Sequence, residues 1–166
     1  MKTLIINKKK YELDLKGHET LLEVLRNHLG LTGTKTACEE TECGTCCVNI
    51  KGKAILSCIT LAYNIEEEIT TIEGLSEGET LHPLQKTYLE TGAAQCGFCI
   101  PGFIMASKAL LEKNPEPTQE EMDYALDGNL CRCGGYLRIY DAVIQAGKEM
   151  KKLNDQEPRN IATCKG

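Results

Sequence analysis

Apolar positions follow two different rhythms along this chain. Up to about residue 76 they come in short runs broken by polar turns. Residues 2–7 and 11–15 read as strands, with Lys8, Lys9 and Lys10 as the polar turn of a hairpin. Thr20 then opens a helix, with Glu23 three residues later completing a capping box. Leu21, Leu22, Leu25 and Leu29 give that helix its apolar face, and Gly30 stops it. A loop rich in Thr, Gly and Cys runs from 32 to 46. Residues 48–50 and 54–56 form a second hairpin around Lys51 and Gly52, and 69–72 is a last strand. This half is a small α+β unit.

Residues 73–80 (EGLSEGET) are acidic and carry two glycines, so they read as a linker. Beyond them the rhythm becomes helical. One helix covers 82–90. A second starts at Pro101, whose missing N–H costs nothing in a first turn, carries Phe103, Ile104, Leu110 and Leu111 on one face, and ends at the Asn114–Pro117 stretch. Thr118 with Glu121 is a capping box for a third helix stopping near Gly128. Tyr136, Ile139, Tyr140, Val143, Ile144 and Gly147 recur at helical spacing, giving a fourth helix to about Lys152. The domains expected are 1–76, 77–153 and a polar tail, 154–166.

Composition narrows the function. The net charge of -5 disfavours a general nucleic-acid binder, which needs clustered Lys and Arg. The apolar stretch Leu4, Ile5, Ile6 is too short for a signal-peptide core, and no run approaches membrane-spanning length. No nucleic-acid or membrane partner is therefore expected, and a cytoplasmic location is. Ten cysteines in a reducing compartment point to metal binding rather than disulfides.

Cys38, Cys43 and Cys46 have the spacing C-x4-C-x2-C, and Cys58 follows eleven intervening residues later. That is the plant-type [2Fe–2S] spacing. A tight loop wraps a diiron core so that three thiolates converge, and a fourth arrives from a neighbouring strand. Gly44 fits where backbone must approach sulfide. Zinc favours paired C-x2-C knuckles, and the leading four-residue gap is wrong for them. Cys47 is surplus. Starting a strand directly after Cys46, it reads as a small buried core residue.

Cys96 with Cys99 and Cys131 with Cys133 form C-x2-C and C-x-C pairs, each just before a helix. Helix N-termini offer free N–H groups and partial positive charge, which suit an anionic thiolate site. By spacing alone, zinc competes for this second group.

The strings CEETECGTC, GAAQCGFCIPG and GNLCRCGGY together resemble the iron–sulfur (small) subunit of the xanthine dehydrogenase/aldehyde oxidase family of molybdenum hydroxylases. The likeness runs from Leu4 to about Lys152, in the family's order, and 31 residues separate Cys99 from Cys131. It implies an N-terminal β-grasp ferredoxin domain followed by an all-α four-helix-bundle domain. Each would hold one [2Fe–2S] cluster, through Cys38, Cys43, Cys46 and Cys58 and through Cys96, Cys99, Cys131 and Cys133. It implies a large molybdopterin-binding subunit and an FAD-binding subunit as partners. Gln95 and Cys133 match positions closest to the pterin, and Gly97 and Arg132 fill motif positions near the same interface. Ala37, Thr41, Cys47 and Gly134 depart from residues often found in the family. Of these, Ala37 and Thr41 bear on the geometry of the first loop without removing a ligand.

The function expected is electron relay from a molybdenum–pterin centre to a flavin, with no catalytic base or nucleophile on this chain. A purine or other N-heterocycle is the preferred substrate class. The alternatives are the small subunit of an aldehyde, CO or aromatic acyl-CoA oxidoreductase, a free-standing two-cluster ferredoxin, or a zinc-stabilised interaction module. His18, His28 and His82 share no ligand spacing and read as surface or packing residues, and Cys164 as a free thiol in the tail.

Overall fold

The computed structural model describes residues 1–156. β1 (Lys2–Ile6) and β2 (Lys9–Leu13) form an antiparallel hairpin with Leu4 opposite Tyr11. Its turn is Asn7 and Lys8, with φ of 51° and 65°. Lys9 and Lys10 therefore belong to β2, and β2 stops two residues earlier than its apolar pattern suggests. A two-residue loop with both residues left-handed matches the twist of paired strands. Asn7 also ties the hairpin down: its Nδ2 donates to Thr71 Oγ1, and its Oδ1 accepts from the Thr71 amide, both at 2.9 Å.

The Thr20–Glu23 capping box is present at the start of α1 (Leu21–Glu23). The next turns, Val24–His28, are wound as a π-helix, with the Leu29 amide donating to the Val24 carbonyl at 3.2 Å. Such a turn is rare and changes which way successive side chains face. The expected single apolar face is consequently divided. Leu21, Val24 and Leu25 enter the core beneath the sheet, whereas Leu22 packs with Cys46, Cys58 and Leu56.

β3 (Cys47–Ile50) pairs with β4 (Lys53–Leu56), and β5 (Ile69–Thr70) lies between β1 and β3. The sheet order is β2-β1-β5-β3-β4, parallel only between β1 and β5, which with α1 is the β-grasp arrangement. The last strand is shorter than expected because Ile72–Gly74 turns as a 3-10 helix.

The second half is built from α2 (Pro83–Glu90), α3 (Ile100–Leu111), α4 (Gln119–Leu126) and α5 (Tyr136–Gln156). Leu84, Tyr88, Phe103, Met105, Met122, Ile139 and Val143 are buried at its centre. Each such side chain contributes roughly 1.5–3 kcal/mol by leaving water. The segment expected as a free linker is pinned: Leu75 lies in this helical core. The last helix passes its expected end and includes 153–156, and Cys164 lies outside the described residues.

The two halves meet where β3 lies on α3. Asn49 Nδ2 donates to the Met105 carbonyl at 2.8 Å. Cys47 is a buried core residue, as its position predicts, but the core it joins is the helical one. Burial pushes its thiol up to about 12. Among the described residues, no helix is long and apolar enough to cross a membrane.

Candidate metal centres

The first cysteine group sits on the loop between α1 and β3. Glu39, Thr41 and Gly44 all have positive φ, of 56°, 71° and 65°, so the loop coils tightly enough to turn its cysteines inward. The Cys43 thiol is near enough to act on Cys38. Cys58 comes from the turn just after β4, not from a strand. Ser57 fixes it there: its amide and its hydroxyl both donate to the Cys46 carbonyl, at 3.3 and 2.7 Å. Cys46 and Cys38 are then both close enough to act on the Cys58 thiol.

Electrostatics within this group are uneven. The Glu40 amide donates to Cys38 Sγ at 3.4 Å and, with further amides of the loop, lowers its pKa to about 7. Burial raises Cys58 to about 11, with the Thr41 backbone amide opposing. Cys46 and Cys58 are buried under Leu22 and Leu56.

The second group forms at two helix starts, as the pattern predicts. Cys99 stands at the N-terminal boundary of α3 without a side-chain capping bond, and Pro101 is in the first turn. Cys131 and Cys133 lie just before α5, and the Gly135 amide donates to Cys131 Sγ at 3.4 Å. Tyr136 Oη accepts the Cys131 amide at 2.9 Å, and its ring meets Phe103 edge-on. Cys99 and Cys131 are in thiol–thiol contact. Burial, then that contact, raises Cys99 to about 12. For Cys131 burial works upward, but the Gly135 amide and the Cys99 thiol bring its pKa below its ordinary value. Cys96 acts on Cys99 by charge.

Exposure separates the two groups. Cys96 and Cys133 are exposed. Around them Phe98, Leu130 and Leu137 are 47%, 53% and 81% exposed. Gln95 is exposed and lines one shallow depression with Gly134, Gly135, Leu137 and Arg138, which puts it beside the Cys133 loop. Ala37, Cys43, Cys96, Cys99, Cys131 and Arg132 line another cleft. Cysteines of both groups therefore border one space.

The donor set fits iron–sulfur clusters. Buried thiols with raised pKa values need a cation beside them to ionise, and a metal supplies it. Amides already aimed at Cys38 and Cys131 favour the thiolate form. Among the described residues, no three His, Cys, Asp or Glu side chains close around a single ion.

Sequence reasoning missed the residues that join the groups. Asn129 Nδ2 donates to the Gly44 carbonyl at 3.0 Å, the Leu130 amide to the Cys43 carbonyl at 3.0 Å, and Thr45 Oγ1 to the Phe98 carbonyl at 3.2 Å. The one signal was Asn129 inside the GNLCRC string. Its type and place predicted no partner 85 positions away.

Comparison with known proteins agrees with this division. Residues 4–70 match the 2Fe-2S iron-sulfur cluster binding domain, and residues 71–144 the [2Fe-2S] binding domain. The chain is 48% identical to the nicotinate dehydrogenase small FeS subunit of Eubacterium barkeri, over 76% of this chain and 81% of that one. It is 44% identical to the nicotine 6-hydroxylase small subunit of Paenarthrobacter nicotinovorans, over 90% of each chain. The aldehyde oxidoreductase structure from Desulfovibrio desulfuricans superposes with a TM-score of 0.87 at 39% identity. That match covers 91% of this chain and only 17% of the longer one. A ferredoxin-type unit followed by a helical unit, each of [2Fe–2S]-binding type, defines the class. The chain belongs to the iron–sulfur small subunits of the xanthine dehydrogenase/aldehyde oxidase family of molybdenum hydroxylases.

Proposed function

We propose that this chain is the electron-relay subunit of a molybdenum hydroxylase complex. In this reading Cys38, Cys43, Cys46 and Cys58 hold one [2Fe–2S] cluster, and Cys96, Cys99, Cys131 and Cys133 hold the other. Residues 1–76 and 77–153 are the two working units. When bound, each cluster supplies one-electron redox chemistry. The chain's own residues do the rest. The amides of Glu40 and Gly135 donate to cysteine sulfur, which stabilises thiolate charge. Leu22 and Leu56 pack over Cys46 and Cys58 and cover that side of the first site. The β3–α3 seam holds the two sites at a fixed separation.

The observation that supports this reading is that the two cysteine-bearing segments hydrogen-bond directly to one another, once backbone to backbone and twice through side chains. A free-standing shuttle would need neither the second group nor that seam.

The exposed second site, with its apolar rim of Phe98, Leu130 and Leu137, suits a large molybdopterin-binding subunit. Gln95 and Cys133 face that subunit's pterin in this proposal. An FAD-binding subunit, reached from the first site, is the electron acceptor, and the complex is cytoplasmic. Small N-heterocycles are the preferred substrate class, in keeping with the nicotinate dehydrogenase relative. The test is to replace Cys43 or Cys99 by serine in the assembled complex. Turnover with the physiological acceptor should stop in both; an unchanged rate in either variant sinks the relay. Iron, molybdenum and flavin measured in the co-purified complex test the partners.

A further inference from the structure

Asn129 belongs to the second cysteine segment by sequence, two residues before Cys131, yet its side chain is spent on the first. The residue is 6% exposed. Its backbone amide closes the end of α4 by donating to the Leu126 carbonyl at 2.9 Å. Its side-chain amide donates to the carbonyl of Gly44, between Cys43 and Cys46. Gly44 in turn is shaped around Asn129. A Cβ there would stand 2.3 Å from the Gly128 carbonyl oxygen and 2.4 Å from Asn129 Nδ2, and its φ of +65° is already left-handed. On the far side, a Cβ on Gly102 of α3 would lie 2.4 Å from the Gly44 carbonyl oxygen. The Gly44 peptide is thus clamped between two parts of the helical domain.

We infer that Asn129 is a positioning residue for the first metal site, acting across the domain boundary through the Gly44 carbonyl. The inference rests on the proposed cluster assignment and deepens it. The Gly44 carbonyl also accepts the Cys47 amide at 3.1 Å, and Asn129 adds a second donor, from the helical domain, that fixes the tilt of the peptide. The peptides that follow it belong to Thr45 and Cys46, so the same bond orients Cys46 and the dipoles around its sulfur. Dipoles aimed at ligand sulfur set a cluster's potential. The helical domain therefore tunes the ferredoxin-type centre as well as its own.

The test uses the full chain in its complex, with Asn129→Ala and with Asn129→Asp, which keeps the shape and loses the donor. The midpoint potential and visible circular dichroism of each centre are measured, together with iron content. With iron at the wild-type level, the first centre should shift more than the second, although Asn129 neighbours Cys131. An unshifted first centre, or a larger change at the second, overturns the inference. If iron is lost, it should be lost from the first site; loss confined to the second also overturns it. Should Asn129→Ala fail to fold, Asn129→Asp is read by the same criteria. A wild-type complex without diiron signals would instead overturn the functional proposal beneath it.

Discussion

The first cysteine group is the more covered of the two, whereas the second has two of its cysteines exposed. Cys46 and Cys58 lie under Leu22 and Leu56, on a loop bent by three left-handed residues. Cys96 and Cys133 stand exposed at helix starts, beside an apolar rim. A site closed by its own fold has its dielectric set within the chain. An open site has part of its dielectric set by whatever covers it. Under the proposed relay the contrast gives the two sites different jobs: the open one would meet a partner's cofactor, and the more covered one would be set apart from it.

The sharpest break of this contrast is to empty one site at a time. Cys46→Ala should abolish the first diiron signal on reduction and leave the second; Cys99→Ala should do the reverse. Loss of both signals in either variant would mean the sites cannot assemble separately. Next in size are the two cores. Phe103→Ala should cost about 3–5 kcal/mol and Leu25→Ala about 2–5 kcal/mol. Both side chains are at most 1% exposed. Denaturation followed by far-ultraviolet circular dichroism checks the totals. Because Leu75 and Cys47 tie the halves together, both variants should melt in one transition. Two separated transitions would show that the seam does not couple the domains.

The cysteine spacings carried much of the candidate site because ligand geometry is local: three of the first four thiols lie within one loop. The elements were legible for the same reason. Capping boxes at Thr20 and Thr118 and the helical repeat of α5 are short-range signals, and all three appear in the structure. What escaped depended on distant parts of the chain. The π-turn at Val24–His28 leaves no mark in an apolar pattern, yet it sends Leu22 to the cysteines and Leu25 to the sheet. Gly44 was expected to make room for sulfide, but the atoms that would meet its Cβ belong to Gly128 and Asn129. Thr41, a departure noticed in sequence, acquires a physical meaning: a β-branched residue at φ +71°.

That strain gives a smaller test of the enclosed site. A left-handed conformation costs an ordinary residue roughly 1–2 kcal/mol, and Asn tolerates it better. Thr41→Asn should stabilise the chain by about 1 kcal/mol, measured by denaturation. Because the Thr41 group that acts on Cys58 is its backbone amide, which Asn retains, the substitution should leave the first centre's potential near the wild-type value. A large potential shift would mean that the strained backbone itself tunes the site.

The smallest effect lies outside both sites and asks whether the cap of α2 responds to pH. His82 caps α2, its Nδ1 accepting from the Leu84 amide at 3.2 Å. Burial first, then the charge of Lys108, lowers its pKa from 6.5, with Glu112 opposing. Protonation would turn Nδ1 into a donor and remove the cap. A His whose folded value is depressed gives stability that is complete above its unfolded value and declines as pH falls below it. The melting temperature should therefore drop as pH is lowered from 6.5, beyond what the carboxylates account for. His82→Asn keeps a capping acceptor that does not titrate, so it should flatten that part of the profile. Equal slopes in the two proteins would remove His82 from the account and leave the α2 cap without a role in the pH response.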